Sequence, residues 1–428
     1  MASNLEEAPW EFNRVPGGYE SRCPRYGITI TAEEIKRKAD EMTSLMTVRS
    51  SMLGLRTVED DILKVGILNF YATTSRASWA KEITRRCPGE AQSLDWDGFL
   101  ERFVVKVIAA ERMGEAAVNL ATVELSQGNR YLIPGLVSAE ETTIWFGDGG
   151  AMKSYLALAA GATIASGSSD FLGVYPNERR NVGYIDWEWG AQAHRRRLGR
   201  ISPDKMADII YIRCDRPLTY EVARLQRLVR EHDLGFVILD SIAFGCDAPP
   251  EQADTATRYV SAVRQLGVPA LLLAHVTKAE DGDKKPFGSS FWHNSTRLTW
   301  FVKKAGEYGD TSVIGMFNRK NNDDRPLEPR GFRFRFDEEA NTTSIVPADE
   351  ADLANEADIA ERMPLKSRIA AVIRDEPKTM AQIAVEIDKT VQDVSTTVRR
   401  GEGKMFQRVM GTDNVYRIAL LPTGTDGS

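Results

Sequence analysis

The amino-acid sequence predicts an α/β protein built on a mainly parallel sheet, with an α-helical N-terminal region and a small C-terminal domain. Three observations lead to that class. Between residues 126 and 346, short apolar runs ("TTIWF", "NVGYIDWE", "IIYIR", "GFVILDS", "PALLLAHV", "LTWFVKK", "SVIGMF") alternate with helical stretches, as parallel strands linked by crossover helices do. A glycine-rich turn, "GDGGAMKS", stands between the first of these runs and an apolar stretch from Tyr155 to Ala165. Finally, Asp337 to Glu361 carries nine carboxylates and no lysine or arginine, so it reads as an acidic linker centred on residues 347–363 that sets off the C-terminal part.

The chain of 428 residues is 42% hydrophobic and 27% charged, which suits two or three domains with a sizeable core. A formal charge of -6 gives no global argument for nucleic acid, so any such contact has to come from local patches. Cys23, Cys87, Cys214 and Cys246 lie far apart without C-x-x-C pairing, which points neither to zinc nor to a disulfide framework. The polar start "MASNLEEAPWEFNR" and the absence of a long apolar run predict a cytoplasmic protein without a membrane segment.

Residues 1–30 read as an arm, and residues 31–125 as a helical domain. Thr31 followed by Glu34 has the spacing of a capping box, and helical patterns recur in "TVEDDILKVGILNFYATTSRASWAKEITRR" and "LDWDGFLERFVVKVIAAERM". After the acidic linker, residues 364–421 read as three short helices and two wing strands, in the manner of a winged helix, with residues 422–428 as a tail. Ile383, Ile387, Val391, Val394 and Val398 have the spacing of packed faces. That leaves Arg399 and Arg400 on the third helix, and Lys404 and Arg408 at the wing, available to phosphates and base edges.

The turn at 147–154 carries most of the parts of G-x-x-x-x-G-K-[ST]. Gly147, Asp148, Gly149, Gly150, Ala151, Met152, Lys153, Ser154 and Tyr155 form the candidate ATP loop, in which backbone amides turn in around a polyphosphate. Lys153 faces the outer phosphates, and the Ser154 hydroxyl faces Mg²⁺. Met152 occupies the place of the second glycine, and a negative φ is expected there. Asp240, ending "GFVILDS", is the candidate second magnesium carboxylate. Glu188, in "NVGYIDWEWG", is the candidate base for the attacking water, with Asp186 in reserve.

In their order, Lys153–Ser154, "YIDWE", "VILDS", "LLLAHVTK" and "GSSFWHNSTRLTW" resemble the RecA-like P-loop ATPases, closest to the branch of RepA-type hexameric plasmid helicases and phage ATPases. The resemblance covers residues 131 to 336, about half of the chain. It implies ATP and Mg²⁺ as cofactors, a homo-oligomer with a hexamer favoured, single-stranded DNA at the core, duplex DNA at the wing domain, and replication proteins as further partners. It also implies that His275 senses the γ-phosphate, and that Arg297, or Arg319 or Lys320, completes a neighbouring subunit's site. Phe287 departs from the pattern, since the plasmid helicases carry an arginine there. Lys284 and Lys285, after the His275 strand, are the candidate DNA loop. A helicase or translocase is the leading expectation. A nucleotide-switched loader or recombination mediator, and a DNA-binding regulator with a vestigial ATPase core, are the alternatives.

Overall fold

The computed structural model describes residues 10–52, 54–114, 117–123, 130–204, 206–276, 290–304, 309–322, 325–348, 353, 363–411 and 413–421. It divides into two compact units. The first comprises residues 1–128 with 220–233 and 262–267, and the second comprises the remainder.

The first unit corrects the sequence expectation, because residues 11–69 form an antiparallel sheet rather than an arm and helices. Its five strands, β1 (Glu11–Val15), β2 (Gly18–Cys23), β3 (Ile28–Lys38), β4 (Glu41–Ser50) and β5 (Ile62–Asn69), pair in sequence order. The supposed capping box lies inside β3, whose register with β4 shifts between Glu33 and Lys36, where Glu34 takes a φ of 53°. Along β4 the buried residues are Met42, Ser44, Met46, Val48 and Ser50, a clean alternation. A face buried every second residue needs a strand, and pairing with neighbours outweighs the helix propensity of "AEEIKRKADEM". Helices do follow, α1 (Thr73–Arg86) and α2 (Trp96–Met113). The Asp95 carboxylate caps α2 by accepting from the Gly98 amide at 2.9 Å. Their apolar faces, with Trp79, Ile83, Leu100, Phe103 and Val107, join the sheet's buried face in one core.

The second unit is built on a nine-stranded sheet. The core strands are β8 (Thr143–Gly147), β9 (Val182–Asp186), β10 (Ile209–Arg213), β11 (Phe236–Asp240), β12 (Ala270–His275), β13 (Leu298–Lys304), β14 (Thr311–Asn321), β15 (Arg330–Asp337) and β16 (Thr342–Ala348), preceded by a small hairpin of β6 (Tyr131–Ile133) and β7 (Val137–Ser138). Their order is β10-β9-β11-β12-β8-β13-β14-β15-β16. The first six run parallel and the last three add antiparallel. This is the mainly parallel core the sequence predicts. Part of the acidic stretch is not a linker, however, because Thr342–Ala348 pairs with β15. Residues 349–352 and 354–362 lie outside the described residues.

Helix α3 (Lys153–Ser166) is buried almost all round, so it has no polar face to show water. Its small residues permit that, since a Cβ on Gly161 would come within 2.8 Å of Ile238 Cδ1 in the sheet. In the C-terminal segment, helices Leu365–Val372, Met380–Glu386 and Val391–Gly401 precede a hairpin of Phe406–Met410 and Tyr416–Leu420. Ile369, Ile383, Val394, Val398, Phe406 and Ile418 form their common core. No helix of the described residues is long and apolar enough to cross a membrane.

Candidate nucleotide-hydrolysis site

Parallel strands bring their carboxyl ends to one edge of a sheet, and ligands bind in the crevice there. The register makes this concrete, as Asp240 pairs with Asp186 and His275 with Gly147. The loops leaving β8, β9, β11 and β12 therefore share an edge, and the first two lead into helices α3 and α4 (Ala191–Ile201).

Gly147 ends β8 against β13, where a Cβ would lie 2.2 Å from the Val302 carbonyl oxygen. Only glycine fits that approach. Gly150 and Met152 take positive φ, 75° and 59°. Met152 thus sits in the left-handed region, contrary to the negative φ expected, and caps the N-terminus of α3 in a conformation that suits glycine. Its side chain packs on the main core, which holds the unusual residue in place.

Lys153 is 7% exposed, and its ammonium donates to the Gly147 and Asp148 carbonyls at 3.0 and 2.9 Å. Burial lowers its pKa to about 8, opposed by the charges of Asp240, Glu188 and Asp148. The amine thus carries donors that a polyphosphate in the same loop would satisfy better than two neutral carbonyls.

The carboxylates divide by environment. Asp240, 4% exposed, accepts from the Tyr184 hydroxyl at 2.7 Å. Asp186, fully buried, accepts from the amides of Glu188 and Trp189, from His194 Nε2 and from the Tyr211 hydroxyl, at 2.8 to 3.2 Å. Burial alone would raise its pKa, but the His194 bond and the two amides outweigh this and lower it. A carboxylate held by that many donors is a poor proton acceptor, so Asp186 drops out as the reserve base. Glu188 is the opposite case. It faces the cavity, accepts from Ser241 Oγ, and has its pKa raised, first by burial and then by Asp240 and Asp186, with Ser241 and Lys153 opposing. It is the more basic of the two, which is what water activation requires.

Lys153, Glu188 and Asp240, but not the buried Asp186, line one cavity of about 1040 Å³, which Gly150, Ala151, Met152, Ser154, Tyr155 and His275 also border. Burial and the Lys153 charge lower the His275 pKa against the pull of Asp240. By its sequence "HRRRLGR" reads as the exposed face of the helix after Glu188, but the structure places Arg195, Arg196, Arg197 and Arg200 of α4 on the cavity wall. The Arg197 guanidinium lies 4.2 Å from the Trp189 ring centroid and 5.5 Å from that of Tyr155. The signal was present in the sequence, since a helix starting three residues past Glu188 must begin at the same sheet edge.

Arg297, Arg319 and Lys320 are not in this cavity. Leu298 pairs with Thr143 at the start of β8, and Thr299 pairs with Lys320. Counted in strand residues from Gly147 at ~3.3 Å each, Lys320 therefore lies about 10 Å and Arg297 about 17 Å towards the opposite edge, while Arg319 stands between Lys320 and Asn318, the partner of Trp300. Lys320 donates to the His293 and Asn294 carbonyls, and Arg319 lies over the Phe301 ring. Lys284, Lys285 and Phe287 fall outside the described residues. In the C-terminal segment Arg399, Arg400 and Lys404 are exposed, and Arg408 pairs with Glu402 at 3.0 Å.

Residues 119–281 match the family model described as an AAA domain. That segment is a P-loop ATPase domain. The match spans the phosphate loop, Glu188, Asp240 and His275, and less than half of the chain. No curated protein matches. Among solved structures, a KaiC-like protein from the hyperthermophilic archaeon Pyrococcus horikoshii OT3 is similar at 16% identity, over 51% of this chain and 94% of that one, with a TM-score of 0.37.

Proposed function

We propose that the chain is an ATP-driven DNA motor, a helicase or translocase of plasmid- or phage-type replication or recombination that works as a ring-forming homo-oligomer. The observation that carries the reading is the convergence of Lys153, Glu188 and Asp240 on one cavity at the carboxyl edge of a parallel sheet. ATP enters as substrate, with its phosphates along the loop amides and Lys153. Glu188 takes the proton of a water whose oxygen attacks the γ-phosphorus as the bond to ADP breaks. The residues present fit Mg²⁺, which takes few protein ligands and keeps waters and phosphate oxygens. Ser154 and Asp240 would hold it, and it would neutralise charge on the phosphates.

Arg297, Arg319 and Lys320, at the far edge of the sheet, would act on the site of an adjacent copy. The segment 364–421, read as a winged helix, would engage duplex DNA through Arg399, Arg400, Lys404 and Arg408, and Lys284 and Lys285 would meet single strands. One observation favours the second reading, a loader or mediator. Val385, Val391, Met410 and Tyr416 are exposed on the C-terminal segment, Val385 at 82%, and such side chains suit a protein partner.

The test is ATP turnover by the full chain with and without single-stranded DNA, beside strand displacement on a forked duplex and a Lys153→Ala control. DNA-stimulated turnover with displacement supports the motor. Turnover without displacement, together with stimulated loading of a separate helicase, selects the loader.

A further inference from the structure

We propose that His194 and Asp186 are positioning residues that tie helix α4 to the backbone of Glu188 and so set the reach of that carboxylate. The inference rests on the ATPase reading above and adds residues that the reading does not use.

Asp186 holds the Glu188 amide at 2.8 Å and the Trp189 amide beside it, so the turn that carries the base is fixed from below. His194, on the first turn of α4, meets the same carboxylate at 3.0 Å through Nε2. A carboxylate only accepts, so Nε2 carries the hydrogen. The ring is buried, 4.5 Å from that of Tyr184, whose hydroxyl donates to Asp240. Among the described residues the other ring nitrogen, Nδ1, is buried with no hydrogen-bond partner. That combination argues against a filling role, because an apolar side chain would occupy the space without leaving a polar atom unsatisfied. What the imidazole supplies in exchange is one directed hydrogen bond to Asp186. Three residues on, and so on the same side of the helix, Arg197 lies against Trp189 and Tyr155 at the cavity wall. Movement of α4 when a ligand enters therefore reaches Glu188 through His194 and Asp186.

The experiment uses the full chain with His194→Leu, which fills the space without a donor, and His194→Gln, whose side-chain amide can replace Nε2. Two readouts are taken, steady-state ATP hydrolysis and amide hydrogen exchange of residues 187–190. His194→Leu is expected to lower kcat about 10- to 100-fold, the cost of misplacing a reacting group by about 1 Å, with KM within about twofold. Exchange at 187–190 should quicken, and His194→Gln should restore most of both. If His194→Leu does not fold, Asp186→Asn carries the test with the same split expected. Unchanged kcat and unchanged exchange in the folded variant overturn the inference. Wild-type protein that hydrolyses no ATP, while exchange still follows the variants, refutes the ATPase reading and leaves the positioning of the turn standing.

Discussion

Replacing Met152 with glycine tests whether the phosphate loop tolerates its odd residue at a cost. With a φ of 59°, the methionine bears a left-handed penalty of about 1–2 kcal/mol, which glycine removes. Against that, glycine has more freedom to lose from the unfolded chain, about 0.5–1 kcal/mol. The half-buried side chain also gives up packing on the core, about 1 kcal/mol if half of a fully buried methionine's contribution is lost. These terms nearly cancel, so Met152→Gly should lie within about 1 kcal/mol of wild type, with turnover retained or raised. Met152→Val, by contrast, puts a β-branched residue where φ is positive and should lose about 2 kcal/mol or more. Urea denaturation without nucleotide and initial ATPase rates on the three proteins are the assay. A tenfold loss of turnover in Met152→Gly, about 1.4 kcal/mol of barrier, would refute the reasoning by giving the side chain a positive role. Valine as stable as methionine would refute it from the other side.

Lys153→Ala should abolish hydrolysis and most nucleotide affinity, measured by fluorescent-nucleotide titration, while circular dichroism stays that of the wild type. Glu188→Gln should bind ATP but turn over at least about 100-fold more slowly, checked by single-turnover rates. Because burial raises the Glu188 pKa and a base works deprotonated, the wild-type rate should fall on the acid side at a pH above the ordinary glutamate range of about 4.3, and Glu188→Gln should lose that limb. Asp240→Asn should weaken magnesium-dependent binding, read by titrating the metal at fixed nucleotide. Deleting everything after Glu361 should leave basal ATPase activity intact while lowering duplex affinity and flattening its salt dependence, since fewer counterions are released.

The parallel core was legible because its strands are nearly continuous apolar runs, such as "VILD" and "ALLLAH", which few other contexts explain. The three short helices expected in the C-terminal segment are present, and two of them were legible locally because Thr379 and Thr390 are side-chain caps with nearby partners. The N-terminal sheet was not legible, since "AEEIKRKADEM" is made of helix formers, and only the antiparallel pairing of β3 with β4 reveals that Ile28, Ile30 and Ala32 share a buried face with Met42, Met46 and Val48. The acidic stretch misled for a related reason. Its composition reads as solvated, yet Thr343 and Ile345 alternate into the core opposite β15.

At the site, sequence order named the loop lysine and three carboxylates but could not say what each carboxylate does, because that depends on hydrogen bonds made across the sheet. Asp186 and Glu188 are two residues apart on one strand end and look interchangeable in "YIDWE". The structure separates them through donors that are remote in sequence, His194 and Tyr211 for the first and Ser241 for the second. His194 and the amides of Glu188 and Trp189 lower one pKa against burial, while burial raises the other, which is the divergence that assigns a base among neighbouring acids. Met152 illustrates the converse. The motif states that glycine belongs there, and the left-handed φ supplies the reason, so the departure is a conformational cost carried by the core packing around it rather than a loss of the loop.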